Sequence, residues 1–328
     1  MQILVVAPSW IGDTILAQPL FMRLHQRHPG LALDVLAPPW SAPLLARMTE
    51  VRRVIESPFR HGEFAWGARR RLGRQLCGAA YDQAIVLPNS WKSALLPWFA
   101  GIRRRTGYRG EARYGLVNDR HAVDEAAHPQ LVQRYLALAG PGAEPPPQPH
   151  LLSTPERQAA ARAALGLAGT APVVFCPGAE YGPAKRWPAR HFAALARQLR
   201  ERGAAEVWLI GSAKDAPLGA AIEALAGGAC RNLCGRTSLD QAIDLIATAS
   251  LVVSNDSGLM HVAAALERPL VALYGSSSPA YTPPLSPCAK IVSLRIECSP
   301  CFQRECPLGH FKCLDELTPA QVLAQTGY

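Results

Sequence analysis

The segment SNDSGLMH, Ser254 to His261, lies between two apolar runs, ASLVV before it and LMHVAAALE overlapping its end. That order predicts a strand, a tight polar turn and a helix whose first backbone N–H groups are left without partners. Ser257, Gly258 and Leu259 supply those groups. A helix start of this kind carries partial positive charge and binds phosphate. Asp256 is read as the N-cap and organiser of the turn, because a carboxylate would repel a phosphate. His261 follows Ser257 by four residues, one turn along the same face, where it either meets a distal phosphate or packs.

A second segment, PGAEYGPAKRWP (177–188), also follows an apolar run. Gly178 and Gly182 permit close backbone approach, and Lys185 offers a point charge to phosphate oxygens. The plainer reading of Lys185 is a solvated loop lysine. The GK[ST] ending of a Walker A loop is missing, and no G-x-G-x-x-G occurs in the chain, which argues against a standard NAD or FAD site. After the run AEVWLIG, Asp215 either accepts hydrogen bonds from ribose hydroxyls or caps a helix. Ser276 begins a hydroxyl-rich turn, Ser276 to Ser278, after PLVALYG. Near the N-terminus, PSWIGDT places Asp13 at or just inside a helix start, as an N-cap or as a general base. Together these turns suggest a site for a nucleoside diphosphate.

All of these turns follow apolar runs, and ligands of open parallel sheets bind at the carboxyl ends of strands. Strands read at 3–7, 31–37, 52–56 and 83–88, and the short strand RRTGY, alternate with helix patterns over 14–28 and in NSWKSALLPWFAG and QLVQRYLALAG. The segment 141–150 holds five prolines and reads as a stiff, extended linker. Beyond it, strands at 172–176, 205–211 and 269–275, and in SLVVS, alternate with helices, including one over 216–226. The tail TPAQVLAQTGY reads as a last short helix. The expected fold class is α/β, with two Rossmann-like, doubly wound parallel-sheet domains, 1–150 and 151–328. The final helix is left free to pack back on the first half.

The chain has 328 residues, 49% of them hydrophobic, enough to bury two cores. It lacks an uncharged apolar run long enough to cross a membrane, and its first residues carry no signal-peptide pattern, so a cytoplasmic protein is expected. The net charge is +9, and the window 52–120 alone accounts for that excess through its arginines. The window is either a solvated face or a patch for a polyanion such as nucleic acid, anionic lipid or a phosphorylated glycan. Trp66, Trp91, Trp98 and Phe99 lie in it, as core residues or as contacts to a membrane interface.

Nine cysteines are present. Cys298, Cys301, Cys306 and Cys313 cluster as C-x2-C-x4-C-x6-C, open to three readings: a structural metal, reduced packing thiols or a disulfide. With the charge, the cluster also motivates a non-enzymatic alternative, a nucleic-acid-binding protein with a cysteine knuckle. Charge and cysteines fall in different halves, so no nucleic-acid partner is expected.

These residues carry a resemblance over essentially the whole chain. PSWIGDTILAQPL, PGAEYGPAKRWP, LIGSAKD, and SNDSGLMHVAAAL followed by ALYGSSSP are similar to the ADP-heptose:lipopolysaccharide heptosyltransferases, glycosyltransferase family 9. The tail SPCFQRECPLGHFKCL resembles that of members adding the second inner-core heptose. The resemblance implies a GT-B fold, two domains facing a central cleft, with the acceptor in the first and ADP-heptose in the second. It implies an inverting transfer of L-glycero-D-manno-heptose from ADP-heptose to the first heptose of heptosyl-Kdo2-lipid A, with no metal needed for catalysis. Asp13 would be the base. Lys185 and the helix start at Ser257 would stabilise the departing ADP, with Gly178, Asp215, Asp256, Gly258, Leu259, His261 and Ser276 lining the donor site. The anionic lipid acceptor would place the protein at the cytosolic face of the inner membrane. Transfer of the first heptose to Kdo, and a GT-B nucleotide-sugar epimerase or hydrolase, are the alternatives.

Overall fold

The computed structural model describes residues 1–59, 63–142, 144–168 and 171–328. The chain forms two compact units, Met1–Gln148 and Pro149–Tyr328. The boundary falls inside the proline-rich segment, which carries neither helix nor strand among its described residues; Ala143 of that segment and Arg60 of the basic window lie outside the described residues.

The first unit runs β1 (Gln2–Val6), α1 (Ile11–Arg27), β2 (Ala32–Ala37), α2 (Ala42–Leu45), β3 (Arg53–Glu56), α3 (Trp66–Leu76), β4 (Gln83–Val86), α4 (Trp91–Phe99), β5 (Arg104–Tyr108), β6 (Asp119–His121) and α5 (Leu131–Ala137). Its six strands are all parallel, in the order β3-β2-β1-β4-β5-β6. The central strands read as near-continuous apolar runs because helices cover both faces of a parallel sheet; Ile3, Leu4 and Val5 are fully buried. The order reverses between β1 and β4, whose last residues, Val6 and Val86, stand side by side.

The second unit runs α6 (Pro155–Ala164), β7 (Val173–Cys176), α7 (Ala189–Glu201), β8 (Val207–Leu209), α8 (Ala216–Ala226), β9 (Arg231–Asn232), α9 (Leu239–Ala247), β10 (Leu251–Asn255), α10 (Gly258–Ala265), β11 (Leu270–Leu273), β12 (Ala289–Val292), α11 (Lys312–Asp315) and α12 (Pro319–Leu323). Its sheet is also six-stranded and parallel, β12-β11-β10-β7-β8-β9. Here the order reverses between β10 and β7. Helix α7 buries Phe192, Ala193, Leu195, Ala196 and Leu199, a stripe at three- and four-residue spacing. Ser238 opens α9 with a capping box: its hydroxyl accepts from the Gln241 N–H, and the Gln241 side chain accepts from the Ser238 N–H.

Helix α3 and the short strands β6, β9 and β12 have no counterpart in the sequence reading. Helix α3 has few apolar positions and two internal glycines, so its periodicity is faint. The final helix, α12, packs within the second unit, where Val322 and Leu323 enter the core formed with α7.

Candidate functional site

In each unit the strand order reverses between two central strands, and the loops leaving their carboxyl ends flank a crevice. In the second unit these are the loop after β7, containing Lys185, and the turn after β10, containing Asp256. The Lys185 Nζ lies 2.5 Å from Asp256 Oδ2, with the two side chains 18% and 5% exposed. The expected N-cap role of Asp256 is therefore corrected. Ser257 occupies the N-cap position of α10 and makes no side-chain cap bond. The Asp256 N–H is bonded to the Leu273 carbonyl, and its carboxylate turns to Lys185, since a full charge outweighs the half charge of a helix start.

The Lys185 loop is fixed from beneath. Asn255, fully buried at the end of β10, donates through Nδ2 to the Pro177 carbonyl (2.7 Å) and accepts through Oδ1 from the Trp187 N–H (3.1 Å). One side chain thus ties both ends of the loop. Trp187, also fully buried, donates its indole N–H to the Leu317 carbonyl at 2.7 Å. The loop is held from the other side by the cysteine tail: Ala184 N–H donates to the Arg304 carbonyl (3.0 Å) and the Tyr181 hydroxyl to the Phe302 carbonyl (2.7 Å). Lys185 Nζ and Arg304 Cζ stand 5.1 and 5.2 Å from the Tyr181 ring centroid.

Asp215 caps its own turn, accepting through Oδ2 from the Ser212 N–H (2.9 Å) and hydroxyl (2.7 Å). Its Oδ1 lies 3.8 Å from Arg186. Gly178 faces this carboxylate so closely that a Cβ would collide with it, which explains the glycine. The structure thus groups Gly178, Asp215 and Arg186, and beside the β10–β7 crevice Lys185, Asp256 and His261.

Helix α10 begins at Gly258, so the N–H groups of Ser257, Gly258 and Leu259 precede its first intrahelical bond. His261 is buried, and burial pushes its pKa down to about 4, helped by Lys185 and opposed by Asp256. Among the described residues its Nδ1 has no hydrogen-bond partner, and neither do the buried hydroxyls of Ser276 and Ser277 beyond β11. Buried polar atoms left open are rare and call for an explanation. A cation, a helix N-terminus and open hydroxyls can hold a diphosphate and receive the charge that grows on it as a bond to it breaks.

In the first unit, Asp13 lies in the first turn of α1, beyond β1 at the reversal of strand order. Trp10 holds the N-cap position without a side-chain cap bond, so Asp13 is the third helical residue and not the cap. The loop before it is fixed by the Thr14 hydroxyl, which donates to the Trp10 carbonyl at 2.9 Å, and by the Trp40 indole, which donates to the Ser9 carbonyl at 2.9 Å. Asp13 is half-buried.

Part of the arginine excess is structural. Arg113 is buried and donates to the Pro88 carbonyl (2.7 Å) and to Asn89 Oδ1 (3.3 Å), bracing the loop after β4. Arg69 is buried over the Phe59 ring and donates to the Phe64 carbonyl at 2.6 Å.

Cys298, Cys301, Cys306 and Cys313 are free thiols lining one small cavity of about 20 Å³ with Ala184 and Ser276. Among the described residues, no group of three or more His, Cys, Asp or Glu side chains is arranged to hold a metal ion.

The sequence reading did not single out Asn255, Tyr181, Arg186 or Arg304. Asn255 lies inside SNDSGLMH, and its place at a strand end is the available signal. Arg304 sits in the cysteine tail, and no local pattern links it to Tyr181.

The model of glycosyltransferase family 9 (heptosyltransferase) matches residues 69–312. Lipopolysaccharide heptosyltransferase 2 of Escherichia coli (strain K12) is 48% identical over 99% of this chain and 97% of that protein. Lipooligosaccharide heptosyltransferase 2 of Haemophilus influenzae is 50% identical over 90% of this chain and 89% of its own length. The solved structure of E. coli ADP-heptose LPS heptosyltransferase II superposes with a TM-score of 0.89 at 46% identity, covering 99% of this chain and 97% of that one.

Proposed function

Since the chain belongs to glycosyltransferase family 9, the heptosyltransferases, we propose that its Lys185–α10 crevice receives the diphosphate of ADP-heptose and that Asp13 activates the acceptor. The protein is a glycosyltransferase of GT-B fold. It transfers heptose from ADP-heptose onto the lipopolysaccharide inner core.

The finer reading is an inverting transfer of L-glycero-D-manno-heptose to the first heptose of heptosyl-Kdo2-lipid A. Asp13 accepts the proton of the attacking hydroxyl. The hydroxyl oxygen bonds to the anomeric carbon as the bond to the β-phosphate oxygen breaks, and ADP departs with the electron pair. Lys185 and the first N–H groups of α10 take up the charge developing on ADP, assisted by Ser276. Asp256 holds Lys185 in place, and the Asp215–Arg186 pair is assigned to the ribose side. The acceptor is a lipid, and we place the protein at the cytosolic face of the inner membrane.

The observation that carries the site assignment is Lys185, held 2.5 Å from Asp256 at the start of α10, with the buried hydroxyls of Ser276 and Ser277 left without partners among the described residues. The test is a donor–acceptor assay with Kdo2-lipid A, with and without the first heptose. Heptose addition only to the heptosylated acceptor is expected. Transfer to the unheptosylated acceptor would reassign the step, and acceptor-independent loss of ADP-heptose would point to a hydrolase.

A further inference from the structure

Four large aromatic side chains of the first unit stay on its surface together. Phe64, Trp66, Trp91 and Trp98 are 43%, 45%, 36% and 46% exposed. They form one connected cluster: Phe64 meets Trp66 at 5.8 Å and Trp91 at 5.0 Å between ring centroids, and Phe99 joins Trp66 (4.9 Å) to Trp98 (5.0 Å). Contiguous exposed apolar surface of this kind marks an interaction site.

Helix α3 extends this cluster with positive charge. It turns Arg69, Gly73 and Leu76 inward. Gly73 lies where a Cβ would collide with Phe99, so the glycine lets α3 press against α4 and brings Trp66 to the Phe99 edge. The outer face then carries Trp66, Arg70 and Arg74 at four-residue steps, with Gly67, Arg71 and Gln75 one residue on, and these six line one open recess. Arg70, Arg71 and Arg74 are exposed and have no ion-pair partner among the described residues, whereas Arg69 and Arg113 nearby are spent on internal bonds.

We propose that the outer face of α3, together with the Phe64–Trp66–Trp91–Trp98 cluster, docks the protein on an anionic phospholipid bilayer. The aromatic rings enter the headgroup boundary and the three arginines meet lipid phosphates, the two contributions that bind an interfacial helix. Charge complementarity selects the occupant: an arginine row without carboxylate partners among the described residues, beside amphipathic indoles, fits a flat anionic surface of repeating phosphates. The inference rests on the reading that the acceptor is a lipid, and it assigns the surface that meets the acceptor's membrane.

The test is flotation of the full-length protein with vesicles of phosphatidylcholine alone, or with one quarter phosphatidylglycerol, free of acceptor. Binding to the anionic vesicles is expected, falling steeply with salt. The Arg70→Gln/Arg71→Gln/Arg74→Gln variant should lose affinity about a hundredfold, from roughly 1 kcal/mol per arginine. Trp66→Ser/Trp98→Ser should bind more weakly to the same vesicles. Equal binding to neutral vesicles, salt-insensitive binding by the unaltered protein, undiminished binding by the arginine variant, or binding only when acceptor is present would each overturn the proposal. A deacylated, water-soluble acceptor separates the two readings: both variants should heptosylate it at the unaltered rate. Failure of the unaltered protein to do so would count against the proposed reaction and leave the vesicle result standing.

Discussion

Lys185 and Asp256 form an ion pair of 2.5 Å across the crevice where the second sheet reverses its strand order, and both side chains are largely shielded from water. Each comes from a different loop, so the pair fixes the position of a cation relative to the start of α10. An incoming diphosphate then meets a lysine already in place, with part of the ordering cost met before binding.

The two partners should therefore fail differently. Lys185→Ala removes a charge that acts on the leaving group, and kcat is expected to fall by about 10²- to 10³-fold, as for the loss of one oxyanion donor. Asp256→Ala leaves Lys185 without its partner in a shielded place and should lower stability by about 3 kcal/mol, the low end for a broken buried pair. Asp256→Asn keeps the shape and should lose less. Steady-state kinetics with ADP-heptose and urea unfolding of the three variants separate these effects; an Asp256→Ala protein as stable as the parent would show that the pair is not structural.

His261 supplies a pH dependence whose sign can be worked out. Its folded pKa of about 4 lies below the ordinary histidine value of 6.5, so the unfolded chain binds the proton more readily. The stability it contributes is fully present above pH 6.5 and is lost as pH falls toward 4, on the order of 3 kcal/mol in all. Asp34 has a depressed pKa as well: burial alone would raise it, but hydrogen bonds from Arg52 and Tyr81 and the charge of Arg53 outweigh that. Its contribution is lost only as pH falls below the ordinary carboxylate range. Unfolding free energies of the parent and of His261→Gln, measured from pH 7.5 to 4, should converge as pH falls. A constant difference would mean that His261 is not held neutral.

The cysteine tail offers a chemical readout. Backbone N–H groups, Phe311 foremost, with burial opposing them, hold the Cys306 thiol below its ordinary pKa, whereas burial and the neighbouring cysteines push Cys313 up to about 11. Iodoacetamide at pH 7 should label Cys306 well before Cys313, since the thiolate is the nucleophile. Peptide mass spectrometry over a labelling time course checks the order. Equal rates would sink the assignment of a stabilised thiolate to Cys306.

Much of this arrangement was legible in the residues. Apolar runs of five to seven residues marked the central strands, because a strand buried on both faces tolerates little else, and each site turn followed one of them. The span between two such runs placed α8 over 216–226, the residues it occupies. Edge strands β6, β9 and β12 were not legible: β9 has only two residues, and Arg231 and Asn232 are half-exposed. Helix α3 was hidden for another reason. It is held by Gly73 against α4, a tertiary contact with no local periodicity. The largest error at the site was of the same kind: SNDSG read locally makes Asp256 a cap, but Lys185, 71 residues away, claims the carboxylate.

Asp13 is the remaining carboxylate of the proposed reaction, and its variants test the division of labour between the units. It is the third residue of α1, in the first turn, where the helix dipole favours the ionised form that a base requires. Asp13→Asn keeps the size of the side chain and removes the basic oxygen; kcat should fall by about 10²- to 10⁴-fold, the range for loss of general-base catalysis. The donor groups lie in the other unit, so the affinity for ADP should stay within about twofold, well below the 1.4 kcal/mol of a tenfold change. Calorimetric titration with ADP and single-turnover heptose transfer measure the two quantities on one preparation. Weakened ADP binding with unchanged turnover would move Asp13 to the donor site, and unchanged values of both would remove it from the reaction.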